Sequence, residues 1–226
     1  MWAPQLHGEL GAMKSALAFL AASMCFFAEI AHAQRPAAQS GETPSSFGAE
    51  LSAAAVARTE QEIVYDASYV RLAYPMGDVP PDRGVCADVV VRALRALEID
   101  LQVLVHEDMR ANFSAYPAHW GLERPDRNID HRRVPNLETF LTREGARLPS
   151  SVNAADYLPG DIVAWNLRGD AGWLPHIGIV TDRIGPTGRP MVVHNIGAGP
   201  KLEDVLFDWP ITGRYRVSAD LLRAHT

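Results

Sequence analysis

The chain has 226 residues, 47% of them apolar and 21% charged, a balance that argues for a packed core in one domain with extra segments. The formal net charge is −6, with acids and bases interspersed. No basic block or stripe marks a nucleic-acid surface, so nucleic acid is not an expected partner.

From Met13 the chain reads "MKSALAFLAASMCFFAEIAHAQ". Lys14 forms a short positive start, Ala16 to Ala28 an apolar stretch too short to span a membrane comfortably, and Ala31-His32-Ala33 a small-x-small cleavage site. Residues 1–33 are therefore expected to be a secretory signal peptide, with Met13 as the true start. The alternative is an anchor that stays attached. Met24 before Cys25 is too large for a lipoprotein site. Cleavage near Ala33/Gln34 implies a periplasmic or secreted protein without stable membrane insertion. It also removes Cys25 and leaves Cys86 as the single cysteine, which rules out a disulfide within the mature chain.

Residues 34–47, rich in Pro, Ser, Gly and Gln, read as a flexible leader, and residues 48–226 as the single domain. Good helix formers predict a first helix over 48–66. Pro75, Gly77, Pro80, Pro81 and Gly84 then break the chain. A second helix is expected from Val85, with Val90, Leu94, Leu97 and Leu101 as its apolar stripe, Arg92, Arg95 and Glu98 on the wetter side, and Asp82 as its cap. The polar, aromatic segment 106–135 reads as a long ordered excursion, a lid or substrate wall. "NLETFLTREG" predicts a short helix closed by Gly145.

The period then changes. Segments 160–165, 175–182, 190–197 and 211–217 read as strands separated by Gly and Pro turns. Helices first and strands later predict an α+β fold with an antiparallel sheet.

Cys86 falls in the first turn of the second helix, where free backbone N–H groups and the helix dipole favour a thiolate and can also serve an oxyanion. There its pKa is expected to fall from about 8.5 to about 3.5–7.5. Strand alternation puts His176, Gly178 and Val180 on one face, and Val192, His194 and Ile196 on one face. If the two strands are neighbours, both histidines lie on the same side, and the Cys86 helix packed there would complete a Cys–His–polar triad. Gly178 would leave room for a backbone or substrate. The plainer alternative is a buried structural cysteine and two satisfied core histidines.

The order of these pieces resembles the papain-like superfamily of NlpC-type cell-wall cysteine peptidases and amidases. The matching pieces are "YPMG" with Tyr74, "GVC" with Cys86, "GDIVAW", "HIGIV" with His176 and "VVHN" with His194. Residues from about 60 to 217 also resemble a bacterial secreted family without assigned function, domain of unknown function 1287. The runs "LVHEDM", "NIDHRRVPNL" and "VHNIGAGP" carry that second likeness. The resemblance implies a papain-like fold, with Cys86 as nucleophile, His176 as base and His194 as its orienter. Asn195 is the spare orienter, and Tyr74 supports the oxyanion. The substrate it implies is a cell-wall peptide or other acyl compound, handled without metal or organic cofactor. Where such peptidases often carry Asp-Cys-Ser-Gly, this chain has Val85-Cys86-Ala87-Asp88, a departure at the usual peptide-stem site.

Asp88, His131, Arg132 and Arg133 are candidates for substrate contact. Each also has a plain reading as a member of an ion-pair network. Three alternatives stay open: a non-catalytic envelope-binding module on the same fold, an acyl-transfer or lipid-acting relative, and a metal protein using His106, His119 and His131. Trp120, Trp165 and Trp173 suit either a groove or the core. The sequence is silent on oligomeric state.

Overall fold

A computed structural model describes residues 45–223. The segment expected to be a signal peptide, Cys25 and most of the expected leader lie outside the described residues. The elements are α1 (Ser46–Ala57), β1 (Val64–Tyr65), β2 (Arg83–Gly84), α2 (Cys86–Arg95), α3 (Leu101–Asn112), α4 (Val134–Arg143), β3 (Arg147–Leu148), β4 (Ile162–Asn166), β5 (Pro175–Ile184), β6 (Pro190–His194), β7 (Lys201–Glu203), β8 (Ile211–Tyr215) and α5 (Ala219–Arg223). Six strands form one antiparallel sheet in the order β3-β8-β4-β5-β6-β7. The expected α+β class and antiparallel sheet are what the chain forms.

Boundaries differ from the sequence-based expectation in instructive ways. α1 starts where Ser45 Oγ accepts the Gly48 N–H at 3.0 Å. It ends at Ala57, well short of 66, and a 3₁₀ turn over Arg58–Glu60 leads into β1. α2 ends at Arg95, because Glu98 takes a left-handed φ of 64° and breaks the expected stripe before Leu101. Leu101 instead opens α3, capped by Asp100 Oδ1 on the Gln102 N–H at 3.0 Å. Leu101, Leu104, Val105 and Met109 form its buried face, so the first part of the expected 106–135 excursion is a helix. α4 ends as expected: Gly145 adopts φ 78° and the Ala146 N–H returns to the Leu141 carbonyl at 2.9 Å.

The sheet has two covered faces. Ile162, Ala164, Ile177, Ile179 and Val193 face α1, α2 and α4 in the main core. Val163, Trp165, Val180 and Val192 face the opposite way, into a smaller core closed by Leu206, Phe207 and Trp209 from the β7–β8 connection. β5 is buried on both faces, which explains its continuous apolar run.

One buried ion pair locates the start of α2. Arg132 Nε and Nη2 donate to Asp88 Oδ1 and Oδ2 at 2.8 and 2.9 Å, a bidentate fork with both side chains almost fully buried. Asp88 Oδ2 also accepts the Val85 N–H at 2.6 Å, one of the free donors of the helix start. Asp88 does the capping expected of Asp82. Arg92, expected on the wetter side, is also buried. It bonds Asp78 Oδ2 at 2.9 Å and the carbonyls of Val79 and Pro80, tying the preceding loop to the helix. Removing one partner of a buried pair leaves the other charge uncompensated. Asp88→Ala should therefore lower the unfolding free energy by about 3–5 kcal/mol in urea titrations. A loss under about 1 kcal/mol, typical of an exposed pair, would contradict this role.

Candidate active site

β5 and β6 are neighbours, with Gly178 paired to His194 and Val180 to Val192. Alternation then puts His176 and His194 on one face, as expected from the sequence. Their rings meet edge to face, and His176 Nε2 lies 2.8 Å from His194 Nδ1. Trp165 and Trp209 pack against both rings and help exclude water. The space beside Gly178 is not vacant. A Cβ there would meet Val192 Cγ1 and the Val193 carbonyl at 2.8 Å, and His194 Cβ at 3.1 Å, so Gly178 lets β6 and its histidine come close.

α2 does not pack on the histidine face, contrary to expectation. Its apolar side joins Ile177, Ile179 and Val193 on the opposite face. Cys86 is nevertheless at the junction. The backbone N–H of Ile177, the residue after His176, acts on the Cys86 sulfur together with the N–H groups of Ala87 and Cys86 itself. Cys86 thus lies where the start of α2 meets the start of β5, near the His176–Ile177 peptide. Among the described residues no hydrogen bond joins Cys86 Sγ to the His176 ring, and none engages His176 Nδ1.

Burial decides the charge states. The Cys86 thiol is 6% exposed and its pKa is pushed up to about 11, because desolvation outweighs the three backbone N–H groups. The expected lowering at a helix start is thereby reversed. His176 falls to about 3, through burial first and then the neighbouring His194. His194 is also lowered by burial, against a raising effect of Glu203. At neutral pH the site holds a thiol and two uncharged imidazoles. Glu203 Oε2 lies 2.8 Å from His194 Nε2, but off the axis of the ring N–H, so that buried nitrogen has no aligned partner. Glu203 gave no signal in the sequence beyond its position near His194.

Asn195 points to the α2 face, where its Nδ2 donates to the Gly84 carbonyl at 3.4 Å and its Oδ1 accepts the Gly197 N–H at 3.1 Å. It helps to hold the chain before Cys86. Tyr74 is engaged elsewhere, donating to Glu107 Oε1 at 2.8 Å with its ring against His106. The tyrosine beside Cys86 is Tyr65, whose pKa is raised by burial, then by Cys86 and Asp88. Parallel pairing of β1 with β2 sets Tyr65 against Gly84. A two-residue strand has no periodicity, so the sequence carries no signal that would single it out.

The substrate-contact candidates divide. Asp88 and Arg132 are spent on each other. His131 is buried, and burial lowers its pKa to about 4. Arg133 donates to Asp130 at 3.0 Å and stacks over Trp120 at 4.1 Å, lining a cavity of about 140 Å³ with Met109, Tyr116 and Asn136. Of these four, Arg133 lines that cavity. His106 and His119 pack on Tyr74 and Trp120, and no group of three or more His, Cys, Asp or Glu side chains able to hold a metal ion occurs among the described residues. Nor is any helix there long and apolar enough to cross a membrane.

The buried histidines predict acid sensitivity. His131, His176 and His194 all have folded pKa values below the ordinary 6.5. The unfolded chain then binds more protons below pH ~6.5, so stability is full above that pH and is lost as pH falls toward 4 and 3. The urea midpoint should drop steadily from pH 7 to 4. A flat midpoint over that range would contradict neutral buried rings.

A family model described as "Domain of unknown function (DUF1287)" matches residues 52–217. The "Uncharacterized protein YijF" of Escherichia coli (strain K12) is 58% identical over 154 residues, covering 68% of this chain and 74% of that protein. Among solved structures, NlpC1 from Trichomonas vaginalis is similar at TM-score 0.40 and 16% identity, covering 75% of this chain and 43% of that one. NlpC2 from the same organism gives 0.39 and 15%, covering 78% and 48%. The chain spans less than half the length of either. On the family match and the identity to the Escherichia coli protein, the chain belongs to the DUF1287 family.

Proposed function

We propose that this protein is a secreted or periplasmic cysteine hydrolase that cleaves an amide bond in a cell-wall peptide or related acyl substrate. The observation that carries the reading is the 2.8 Å His176 Nε2–His194 Nδ1 bond, which leaves His176 Nδ1 unbonded beside the peptide whose N–H meets Cys86. Location outside the cytoplasm rests on the pattern of residues 13–33. The motif order around Cys86, His176 and His194 supports the hydrolase class.

The resting site is a neutral thiol and a neutral base, so activation is by general-base catalysis at the moment of attack. The Cys86 S–H proton passes to His176 Nδ1 as sulfur bonds to the acyl carbon. The carbonyl electron pair moves to oxygen, where the N–H groups of Cys86 and Ala87 at the start of α2 stabilise it. Collapse breaks the C–N bond, and His176 returns its proton to the leaving amine. A thioester remains. His176 then takes a proton from water, which attacks the thioester and releases acid and free thiol. His194 accepts from His176 Nε2–H and holds the ring in its working tautomer. Trapping of the thioester by an amine instead of water would give acyl transfer at the same site.

The burial of Cys86 and its high pKa favour a second reading, an envelope-binding module that keeps the fold without turnover. The two part on one assay. Purified full-length protein is incubated with peptidoglycan fragments and short acyl-peptides, and products are read by mass spectrometry. Hydrolysis is expected, with Cys86→Ser and His176→Ala each slowing it at least ~100-fold. Fragment binding without turnover, equal in wild type and Cys86→Ser, would replace the hydrolase by the binding module.

A further inference from the structure

We propose that Glu203 is a positioning residue that sets the direction of the hydrogen-bond chain ending at the His176 base. The inference rests on the hydrolase reading and names a member of the site that sequence motifs do not supply. Two neutral imidazoles joined Nε2 to Nδ1 can share one proton in two ways. If His176 Nε2 carries it, His176 Nδ1 is a free lone pair able to take the thiol proton. If His194 Nδ1 carries it, His176 is protonated on Nδ1 and cannot act as base. The bond length of 2.8 Å is compatible with either direction.

The far nitrogen, His194 Nε2, breaks the tie. Neutral imidazole carries one proton, so an Nε2–H leaves Nδ1 as acceptor and drives the chain in the productive direction. That nitrogen is buried, and the neighbouring acceptor is the Glu203 carboxylate, 2.8 Å away and off the ring axis. Its carboxylate belongs to a half-exposed side chain, whose rotation toward the ring N–H does not require the core to move. β6–β7 pairing sets this up: Val192 faces Glu203 and His194 faces Lys201, so all four lie on one face of the sheet. Lys201 is exposed, whereas Trp165 and Trp209, which cover the rings, cannot accept in the ring plane. A carboxylate accepts and cannot donate when ionised, so it favours Nε2–H alone.

The test is the ring-nitrogen spectrum of ¹⁵N-histidine protein at pH 7, where the two tautomers give distinct Nδ1 and Nε2 shifts. Wild type is expected to show His176 with protonated Nε2 and unprotonated Nδ1, and His194 the same. Glu203→Gln still offers an acceptor oxygen and should keep that pattern. Glu203→Ala should move His176 Nδ1 toward the shift of a protonated nitrogen, and Glu203→Lys, a donor only, should move it further. If Glu203→Ala does not fold, the Gln and Lys spectra carry the comparison. Identical histidine shifts in all folded variants would overturn the proposal. The spectra need no substrate. Absent turnover with the expected shifts would sink the hydrolase reading alone, whereas normal turnover with unmoved shifts would sink only the role of Glu203.

Discussion

Much of the molecule's chemistry depends on where α2 begins, and a single carboxylate holds that point. Asp88 is buried, grips the Arg132 fork, and takes the Val85 N–H. Such a buried charge is tolerable only with all its partners present. The consequence is geometric. The 130–132 turn, α2 and the Gly84–Val85 approach are tied into one unit, with the Gly84 carbonyl further held by Asp66 N–H and Asn195. Cys86 is the first helical residue of that unit, so the pair fixes where its backbone stands.

The site is assembled across a sheet rather than on one side of it. The histidines lie on the Trp165 face, and the helix carrying Cys86 lies on the Ile177 face. They meet at the first residues of β5, where the peptide between His176 and Ile177 is shared by both. Burial on both sides keeps the thiol and the two imidazoles neutral. Such a site would react by proton transfer in concert with attack rather than from a preformed ion pair, and it would keep an unpaired thiol from oxidation while at rest.

The strand faces were legible because alternation has a period of two. Once "HIGIV" and "VVHN" are strands and neighbours, the placement of His176 beside His194 follows from the chain itself. The helix face was not legible, since β5 is apolar on both sides and either face could have received α2. α3 was hidden by His106, Glu107 and Asp108, although Leu101, Leu104, Val105 and Met109 carried its spacing all along. Tyr65 lost to Tyr74 because a two-residue pairing leaves no pattern to read. The Cys86 pKa depended on tertiary burial, which overrode the local effect of the helix start.

The central claim is that the Cys86 thiol and the His176 ring act as one unit. Its most direct measurement is the rate of Cys86 alkylation by a small haloacetamide at pH 7, with each protein's own urea-unfolded thiol as reference. Coupling through the base predicts that His176→Ala slows alkylation of the folded protein at least ~10-fold while leaving the unfolded rate unchanged. An equal or faster rate in folded His176→Ala would mean that burial alone governs the thiol, and would contradict the pair.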